Sequence, residues 1–563
     1  MLIREELDQI LKDAIRSAIA DGSLLMEEVP DCGLERPRDE GHGDWASTVA
    51  MRAAKAAGKN PREIAQLIVD YLPDNSLIDS CEIAGPGFIN FTLKPEALQS
   101  VVASVRDQRM NYGRGVVPDG TRKVNIEYIS ANPTGPFHVG HGRWAALGDA
   151  TSRVMRHAGY DVFEEFYIND HGNQMDVFAS SVVVRYLQLL GQDIEMPEDC
   201  YAGSYVIDIA QAILDEEGEK WLDASEDDRL ENFRERAYAY ELAEQKRVCD
   251  AFGVHFDCWF SERSLYETDN DGKSAVDRAL DAMDAAGYLY EKEGALWFKS
   301  SDFKDDKDRV LRKSDGSYTY FMSDMAYQYD KLQRGFEYLI DIWGADHHGY
   351  IARCKAMLEA WGYHDIFEVM LGQLVNLFRD GKPVRMSKRT GEMVTFEELL
   401  DEVGADATRW IMLSRSADQM VDFDIEVAKK QDATNPVYYV QYAHARICSI
   451  LRKAAGNEEA NLESVAPFEA NLSPLTHESE LALMRKMDVF PELVEQAARD
   501  RAAFRFTHYA QELASLFHAF YTQCHVITED ETLTSARLAL CDATRTVLAL
   551  SLSLLGISAP ERM

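Results

Sequence analysis

The sequence lacks three features that would each indicate a particular class of protein. Its nine cysteines form no CxxC pair and are scattered, which weakens a structural zinc site and provides no disulfide framework. The longest apolar run, near the C-terminus, is interrupted by Ser551 and Ser553 and is too short to span a membrane. The first residues lack the basic region and apolar core of a signal peptide. These absences predict a protein of the reducing cytoplasm, with no zinc and no membrane partner.

Basic residues are also scarce, since 59 Lys and Arg stand against 96 Asp and Glu, giving a formal net charge of −37. Such a charge argues against nonspecific binding to nucleic acid. It does not exclude a specific RNA site, because local basic patches determine contact. Solubility or adaptation to salt is the more ordinary cause of such acidity.

The order of helical and strand-like patterns predicts an α/β fold. A strand, turn, helix and strand over residues 123–167 form the βαβ signature of a parallel sheet. Strand candidates return at 338–343 and 369–377, after a helix-rich stretch that resembles an insertion. We therefore predict a Rossmann-type doubly wound parallel sheet as the catalytic domain, with an N-terminal α+β domain and a C-terminal all-α helical bundle. The predicted ranges are 1–110 for the first domain, 111–400 for the catalytic domain with its helical insertion around 176–310, and 401–563 for the bundle.

The most informative segment is SANPTGPFHVGHGR, residues 130–143, between a strand candidate and a helix candidate. His138 and His141 stand three residues apart at the helix start, so both imidazoles can face one ligand. The helix N-terminus suits a phosphate, and Gly140 lets a ligand approach the backbone. Imidazole donors can stabilise the negative charge that spreads during displacement at phosphorus. The alternatives are two capping histidines or two ligands of a metal.

A second segment, GKPVRMSKRTG at residues 381–391, has glycines at both ends and four basic side chains. This pattern predicts a mobile loop that binds an anion, with Lys388 as the point charge for a triphosphate. A solvated basic loop is the alternative. The two segments lie about 250 residues apart, each beside a strand candidate, as two halves of one nucleotide site would.

The run from His138 to His141 resembles the HIGH signature of class I aminoacyl-tRNA synthetases, and Arg385 to Arg389 resembles their KMSKS loop. Arg385 departs from the usual first lysine, which keeps the charge but changes its geometry. The resemblance implies His138, His141 and Lys388 as catalytic residues. It implies ATP contacts at Pro136, Gly140, Arg385, Met386 and Ser387.

Within this class the sequence is most similar to the arginyl-tRNA synthetase family, over nearly the whole chain. The similarity includes the extended motif at 130–143, GDWA at 43–46, GPGFINF at 85–91, DATR at 406–409 and the terminal PERM. It implies that arginine is activated with ATP and Mg²⁺ and transferred to the 2′-OH of the terminal adenosine of its tRNA. It further implies that the N-terminal domain contacts the tRNA elbow, that the helical domain binds the anticodon, and that activation requires bound tRNA.

A pocket for L-arginine must satisfy a planar cation with five donors, which carboxylates do best. Glu127 interrupts an otherwise apolar strand, and Asp324 follows Tyr320 by one helical turn. The family resemblance implies that these residues hold the guanidinium group, while Ser130 and Asn132 contact the α-amino and carboxylate ends. The alternative is that both acids are ordinary members of an acidic surface.

Two further polar turns follow strand candidates. WGADHHG at 343–349 is placed for the adenosine of ATP, with Gly344, Asp346 and His347, although Asp346 and the histidines could instead bind a metal. YINDHGNQ at 167–174 is expected to line the amino-acid side through His171.

The preferred function is that of a monomeric ligase whose partners are arginine tRNA, L-arginine and ATP. Three rival functions remain at this point. A class I synthetase for cysteine or lysine is the nearest, although zinc-ligand cysteines are missing. A small HIGH-type nucleotidyltransferase would lack the long helical C-terminal region. A catalytically dead paralogue that binds tRNA is opposed by the intact His138, His141 and Lys388.

Overall fold

The computed structural model describes residues 2–37, 39–117, 122–384, 394–465 and 469–563. The predicted loop residues Arg385, Met386, Ser387 and Lys388 lie outside the described residues. Among the described residues, no helix is long and apolar enough to cross a membrane.

The N-terminal region contains a four-stranded antiparallel sheet in the order β1-β2-β4-β3, with helices packed on it. Helix α1 buries Leu7, Leu11, Ala14 and Ala18, which recur every three or four residues and form one apolar face. The GPGFINF segment at 85–91 overlaps strand β4. The elements are α1 (Ile3–Ala20), β1 (Leu34–Glu35), β2 (Trp45–Ser47), α2 (Val49–Ala57), α3 (Pro61–Asp70), β3 (Ile78–Ala84), β4 (Phe88–Leu93) and α4 (Pro95–Gln108).

The middle of the chain forms a five-stranded parallel sheet in the order β7-β6-β5-β11-β12. The first strand of the sheet, β5, lies at its centre, and the later strands add to either side. This order confirms the predicted doubly wound sheet, whose direction of winding reverses between β5 and β11. The elements are β5 (Lys123–Glu127), α5 (Val139–Ala158), β6 (Asp161–Ile168), α6 (Asn173–Leu189), α7 (Ser204–Glu217), α8 (Glu226–Ala251), β7 (Cys258–Ser261), α9 (Ala275–Ala285), β8 (Leu289–Lys292), β9 (Ala295–Phe298), β10 (Arg309–Arg312), α10 (Tyr320–Gln333), β11 (Tyr338–Gly344), α11 (Ile351–Ala360) and β12 (Phe367–Gly372).

The stretch predicted as a helical insertion, 176–310, differs from that prediction in one respect. It includes β7, which belongs to the central sheet, and most of a small antiparallel sheet in the order β10-β9-β8. Strand β7 has only four residues and follows a 26-residue helix. Periodicity cannot identify so short a strand.

A small three-stranded sheet and a helical bundle complete the chain. The sheet has the order β14-β13-β15, and helix α19 of the bundle packs against α15, α18 and the N-terminal α4. The elements are β13 (Val375–Arg379), β14 (Lys382–Pro383), α12 (Phe396–Val403), α13 (Ala405–Met412), β15 (Val421–Asp424), α14 (Ile425–Ala428), α15 (Pro436–Ala455), α16 (Glu478–Asp488), α17 (Phe490–Asp500), α18 (Arg505–Gln523) and α19 (Glu531–Leu554). Short 3₁₀ helices span Glu40–His42, Arg109–Asn111, Glu262–Leu265, Ser300–Phe303, Ala345–Tyr350 and Leu462–Ser464.

Candidate active site

A cavity of about 610 Å³ opens where the winding of the central sheet reverses, between the carboxyl ends of β5 and β11. This is the place where open parallel sheets bind ligands. Most of the predicted site residues line it together. They are Glu127, Ser130, Asn132, His138, His141, Tyr320, Asp324, Gly344, Asp346 and His347.

Three predicted residues do not line this cavity. Pro136 faces a separate cavity of about 150 Å³ between α7 and α8. His171 stacks on Tyr266 with ring centroids 4.4 Å apart, and burial lowers the pKa of His171. A side chain at Gly140 would meet the His138 ring at 2.9 Å, so the structure uses this glycine to make room for that imidazole.

The two motif histidines cap helix α5 and also face the cavity. The backbone N–H of His141 donates to His138 Nδ1 at 3.3 Å, and the backbone N–H of His138 donates to His141 Nδ1 at 3.2 Å. Their rings stack with centroids 3.6 Å apart. Because both Nδ1 atoms accept, each neutral imidazole carries its proton on Nε2. The two histidines therefore do cap the helix, as the capping alternative predicts, and each also has an Nε2–H group as a donor.

The chain turns sharply between β5 and this helix. Ile129 and Ser130 both have positive φ, 67° and 43°, which is unfavourable for residues other than glycine. The turn lets the Ser130 hydroxyl donate to Glu127 Oε1 at 2.9 Å and accept from the Tyr167 backbone N–H at 3.1 Å. The strained turn thus ties the motif loop to the strand that carries Glu127.

The segment after the predicted KMSKS-like loop returns directly to the histidine motif. Thr395 forms an antiparallel β-bridge with His138, and the Phe396 N–H donates to the Phe137 carbonyl at 2.8 Å. A side chain at Gly142 would clash with the Phe396 ring at 2.1 Å, so the glycine allows α12 to contact α5. Thr395 stands seven positions after Lys388 in the sequence.

Sequence reasoning missed Arg143, which anchors the same helix from its other side. This fully buried side chain donates to backbone carbonyls in two segments, 373–374 and 416–419, which precede β13 and β15. Burial lowers the pKa of Arg143 to about 10. The only signal in the sequence was an arginine that follows the motif on the buried face of its helix.

The other end of the cavity is acidic. Glu127 and Asp341 are 9% and 2% exposed, and the Lys331 ammonium group lies 2.8 Å and 3.2 Å from their carboxylates. Burial raises the pKa of Asp324 to about 6, which a hydrogen bond from the Tyr350 hydroxyl opposes. Burial also raises the pKa of Asp341, against the effect of Lys331. Three carboxylates against one ammonium group leave this end suited to a cation.

Asp341 and several other lining residues were also missed, including Trp144, Tyr327, Gln328 and Tyr350, whereas Tyr167 and Asn169 come from the segment predicted to line the amino-acid side. For Asp341 the sequence did hold a signal, because this acid interrupts an apolar strand as Glu127 does. Trp144 closes the floor of the cavity, where side chains at Gly344 and Gly372 would contact its indole ring. Among the described residues, no group of three or more His, Cys, Asp or Glu side chains is arranged to hold a metal ion.

A parallel sheet in this strand order, with the paired histidines at its switch point, is the catalytic domain of a class I aminoacyl-tRNA synthetase. The family model described as "tRNA synthetases class I (R), catalytic domain" matches residues 104–450. On either side, the models "Arginyl tRNA synthetase N terminal domain" and "DALR anticodon binding domain" match residues 5–93 and 440–563.

Relatives define the family more narrowly. The chain is 46% identical to the arginine–tRNA ligase of Oceanobacillus iheyensis and 45% identical to that of Bacillus subtilis, each over the whole length of both chains. It is also similar to the solved structure of Thermus thermophilus arginyl-tRNA synthetase, with 25% identity, a TM-score of 0.74 and full coverage of both chains. The chain belongs to the arginine–tRNA ligase family.

Proposed function

We propose that this chain activates L-arginine with ATP to form arginyl-adenylate and then transfers the arginyl group to the 3′-terminal adenosine of arginine tRNA. One observation carries the proposal: a single cavity holds the paired histidines at one end and three carboxylates at the other. The first end suits a phosphate and the second suits a guanidinium group.

The acidic end is the proposed arginine site. Asp324 and Glu127 accept the guanidinium N–H groups, and Tyr320, which is 74% exposed at the mouth, packs beside them. Ser130 and Asn132 lie between this end and the histidines, and Asn132 Oδ1 already accepts from Asn169 Nδ2 at 3.0 Å. This order supports their contact with the α-amino and carboxylate groups of the substrate.

The histidine end is the proposed ATP site, where ATP enters as its Mg²⁺ complex. Gly344, Asp346 and His347 follow β11 and face the adenosine side. Pro136 and Gly140 shape the motif loop, and Arg385, Met386, Ser387 and Lys388 are the proposed contacts of the phosphates. His171, which stacks outside the cavity, supports the amino-acid side only indirectly.

The reaction then needs positioning and charge stabilisation more than a general base. A carboxylate oxygen of arginine forms a bond to the α-phosphorus, and the bond from that phosphorus to the bridging oxygen breaks, releasing pyrophosphate. The Nε2–H groups of His138 and His141 stabilise the charge on the α-phosphate. The 2′-OH of the terminal adenosine next attacks the acyl carbon, and AMP leaves.

A local basic surface supports binding of tRNA despite the acidic total. Arg446, Arg452, Lys453 and Arg562 line a cavity of about 520 Å³ in the C-terminal bundle, where they outnumber the two acids Glu458 and Glu561. The Arg446 guanidinium group lies over the Tyr521 ring at 4.5 Å, an arrangement on which an unpaired base can stack. We place the anticodon here and the tRNA elbow at the N-terminal domain.

The same proposal includes the domain ranges 1–110, 111–400 and 401–563 and a monomer in the cytoplasm. All nine cysteines are free thiols, which supports a reducing compartment.

The test is ATP–pyrophosphate exchange with each of the twenty amino acids, with and without unfractionated tRNA. We expect exchange with arginine alone, and only when tRNA is present. Exchange driven by a different amino acid would contradict the proposed substrate.

A further inference from the structure

Three neighbouring strands of the central sheet each carry an acid at the same level. In the parallel register Asp341 of β11 pairs with Glu127 of β5, and Glu127 pairs with Glu165 of β6. Side chains at paired positions point to the same face of a sheet, so the three carboxylates form one row. We call Asp341, Glu127 and Glu165 the acid row. All three are buried, and adjacent buried carboxylates without counter-ions would take up protons.

Helix α10 covers this row with two cations, one turn apart. The Arg334 guanidinium group donates to both oxygens of Glu165, at 2.5 Å and 2.8 Å. The Lys331 ammonium group, which is fully buried, lies between Glu127 at 2.8 Å and Asp341 at 3.2 Å. Only Glu127 and Asp341 line the cavity, so Lys331 is the one cation of this helix shared by two acids of the proposed arginine site.

Lys331 also completes the fixation of Glu127. Its ammonium group contacts Oε2, while the Ser130 hydroxyl donates to Oε1. The carboxylate is thus held from two directions before any substrate arrives, which removes the entropic cost of ordering it on binding.

We propose that Lys331 is a positioning residue for arginine selection: its ammonium group lies between Glu127 and Asp341, fixes the orientation of Glu127 and offsets the repulsion between the two acids beside the cavity. This inference rests on the proposed function. Without the ammonium group, two neighbouring carboxylates would face each other with no cation between them, and Glu127 would lose its fixed orientation toward the guanidinium group.

The test compares Lys331→Gln with Arg334→Gln in ATP–pyrophosphate exchange with tRNA present. Glutamine keeps an amide donor near the carboxylates but removes the charge. We expect Lys331→Gln to raise the KM for arginine about tenfold or more and to leave the KM for ATP unchanged. Arg334→Gln is the matched control, since it removes the cation beside a fully buried acid of the same row that does not line the cavity, and leaves Glu165 with its hydrogen bond from the Tyr327 hydroxyl. Arg334→Gln should keep the KM for arginine within about twofold of the wild-type value.

A second variant separates the charge from packing. Adding Asp341→Asn to Lys331→Gln removes the like charge beside Glu127, so it should recover at least a third of the lost arginine affinity on a logarithmic scale. It also keeps the test available if Lys331→Gln alone does not fold, because losing one cation and one acid together leaves the net charge of the three residues as it is in the wild type. An unchanged arginine KM in folded Lys331→Gln, equal effects of the two single variants, or no recovery in the double variant would each overturn the inference. If the wild-type chain does not exchange with arginine, the proposed function fails instead.

Discussion

The two ends of the cavity are built in different ways. The proposed phosphate end comes from four consecutive residues, His138 to His141, whose backbone and imidazoles bond to one another. The proposed arginine end combines side chains from β5, β11 and α10, which lie up to 214 residues apart in the sequence between Glu127 and Asp341. The histidine end is formed by neighbouring residues, and its geometry follows from the start of helix α5. The second exists only when the sheet has formed, because the register of the strands brings its acids together.

The largest expected effect on ATP–pyrophosphate exchange comes from substitution of His138. This substitution should separate the capping of α5 from the proposed catalytic role of the side chain. Asparagine is a good N-cap, so His138→Asn should keep the stability of α5 while removing the Nε2–H donor. We expect exchange to fall about 100-fold or more, as loss of a charge-stabilising donor does elsewhere. Thermal unfolding and exchange kinetics measure the two effects.

His138→Ala is the control for that comparison. It should lose the cap as well, which costs about 1 kcal/mol in the free energy of unfolding. Normal exchange by a folded His138→Asn variant would reduce this histidine to a cap.

Substitution of Asp324 should change the assembled end alone. Asp324→Asn removes one charged acceptor for the guanidinium group. The KM for arginine should therefore rise about 10-fold to 100-fold. The KM for ATP should stay the same, because the two ends bind different parts of the substrates. Asp330→Asn, on the same helix but paired with Arg334, is the matched control and should leave both KM values unaltered. A rise in both KM values after Asp324→Asn would mean that the ends are not independent.

The same difference explains what the sequence could predict. The doubly wound parallel sheet followed from the βαβ pattern, and the histidine motif from its spacing, because both depend on neighbouring residues. Glu127 was recognised as an acid in an apolar strand, whereas Asp341 in the equivalent strand was overlooked. Only the register shows that these acids are neighbours.

Two other features escaped prediction for the same physical reason. Strand β7 is too short for its periodicity to show, and it is defined by pairing with β6. Arg143 was not identified as an anchor, because its acceptors are backbone carbonyls more than 200 residues away. Every residue has a backbone carbonyl, so the sequence does not show which of them accept. Contacts between distant segments therefore account for most of what was missed.

The arginine end should also respond to pH. Burial raises the pKa of Asp324 to about 6, so its carboxylate takes up a proton as the pH falls through that value. A guanidinium group needs the ionised form, so arginine affinity should fall below pH 6, by up to about tenfold per pH unit. Calorimetric titration of arginine between pH 5 and 7 measures this. The slope should be smaller in Asp324→Asn, and an identical slope in that variant would assign the titration to another group.

The smallest expected effect lies at the junction between the histidine motif and the second loop. The Thr395 hydroxyl caps α12 by accepting from the Glu398 N–H at 3.1 Å, while its backbone bridges to His138. Thr395→Ala should therefore cost about 1 kcal/mol in the free energy of unfolding and slow exchange only a few-fold, because the backbone bridge survives. Thr395→Ser keeps the cap and should behave as the wild type. A large loss of exchange in Thr395→Ala with normal stability would mean that the cap itself sets the position of the loop bearing Lys388. Closure over ATP would then depend on a long-range contact, and the phosphate end would be less local than its four-residue motif indicates.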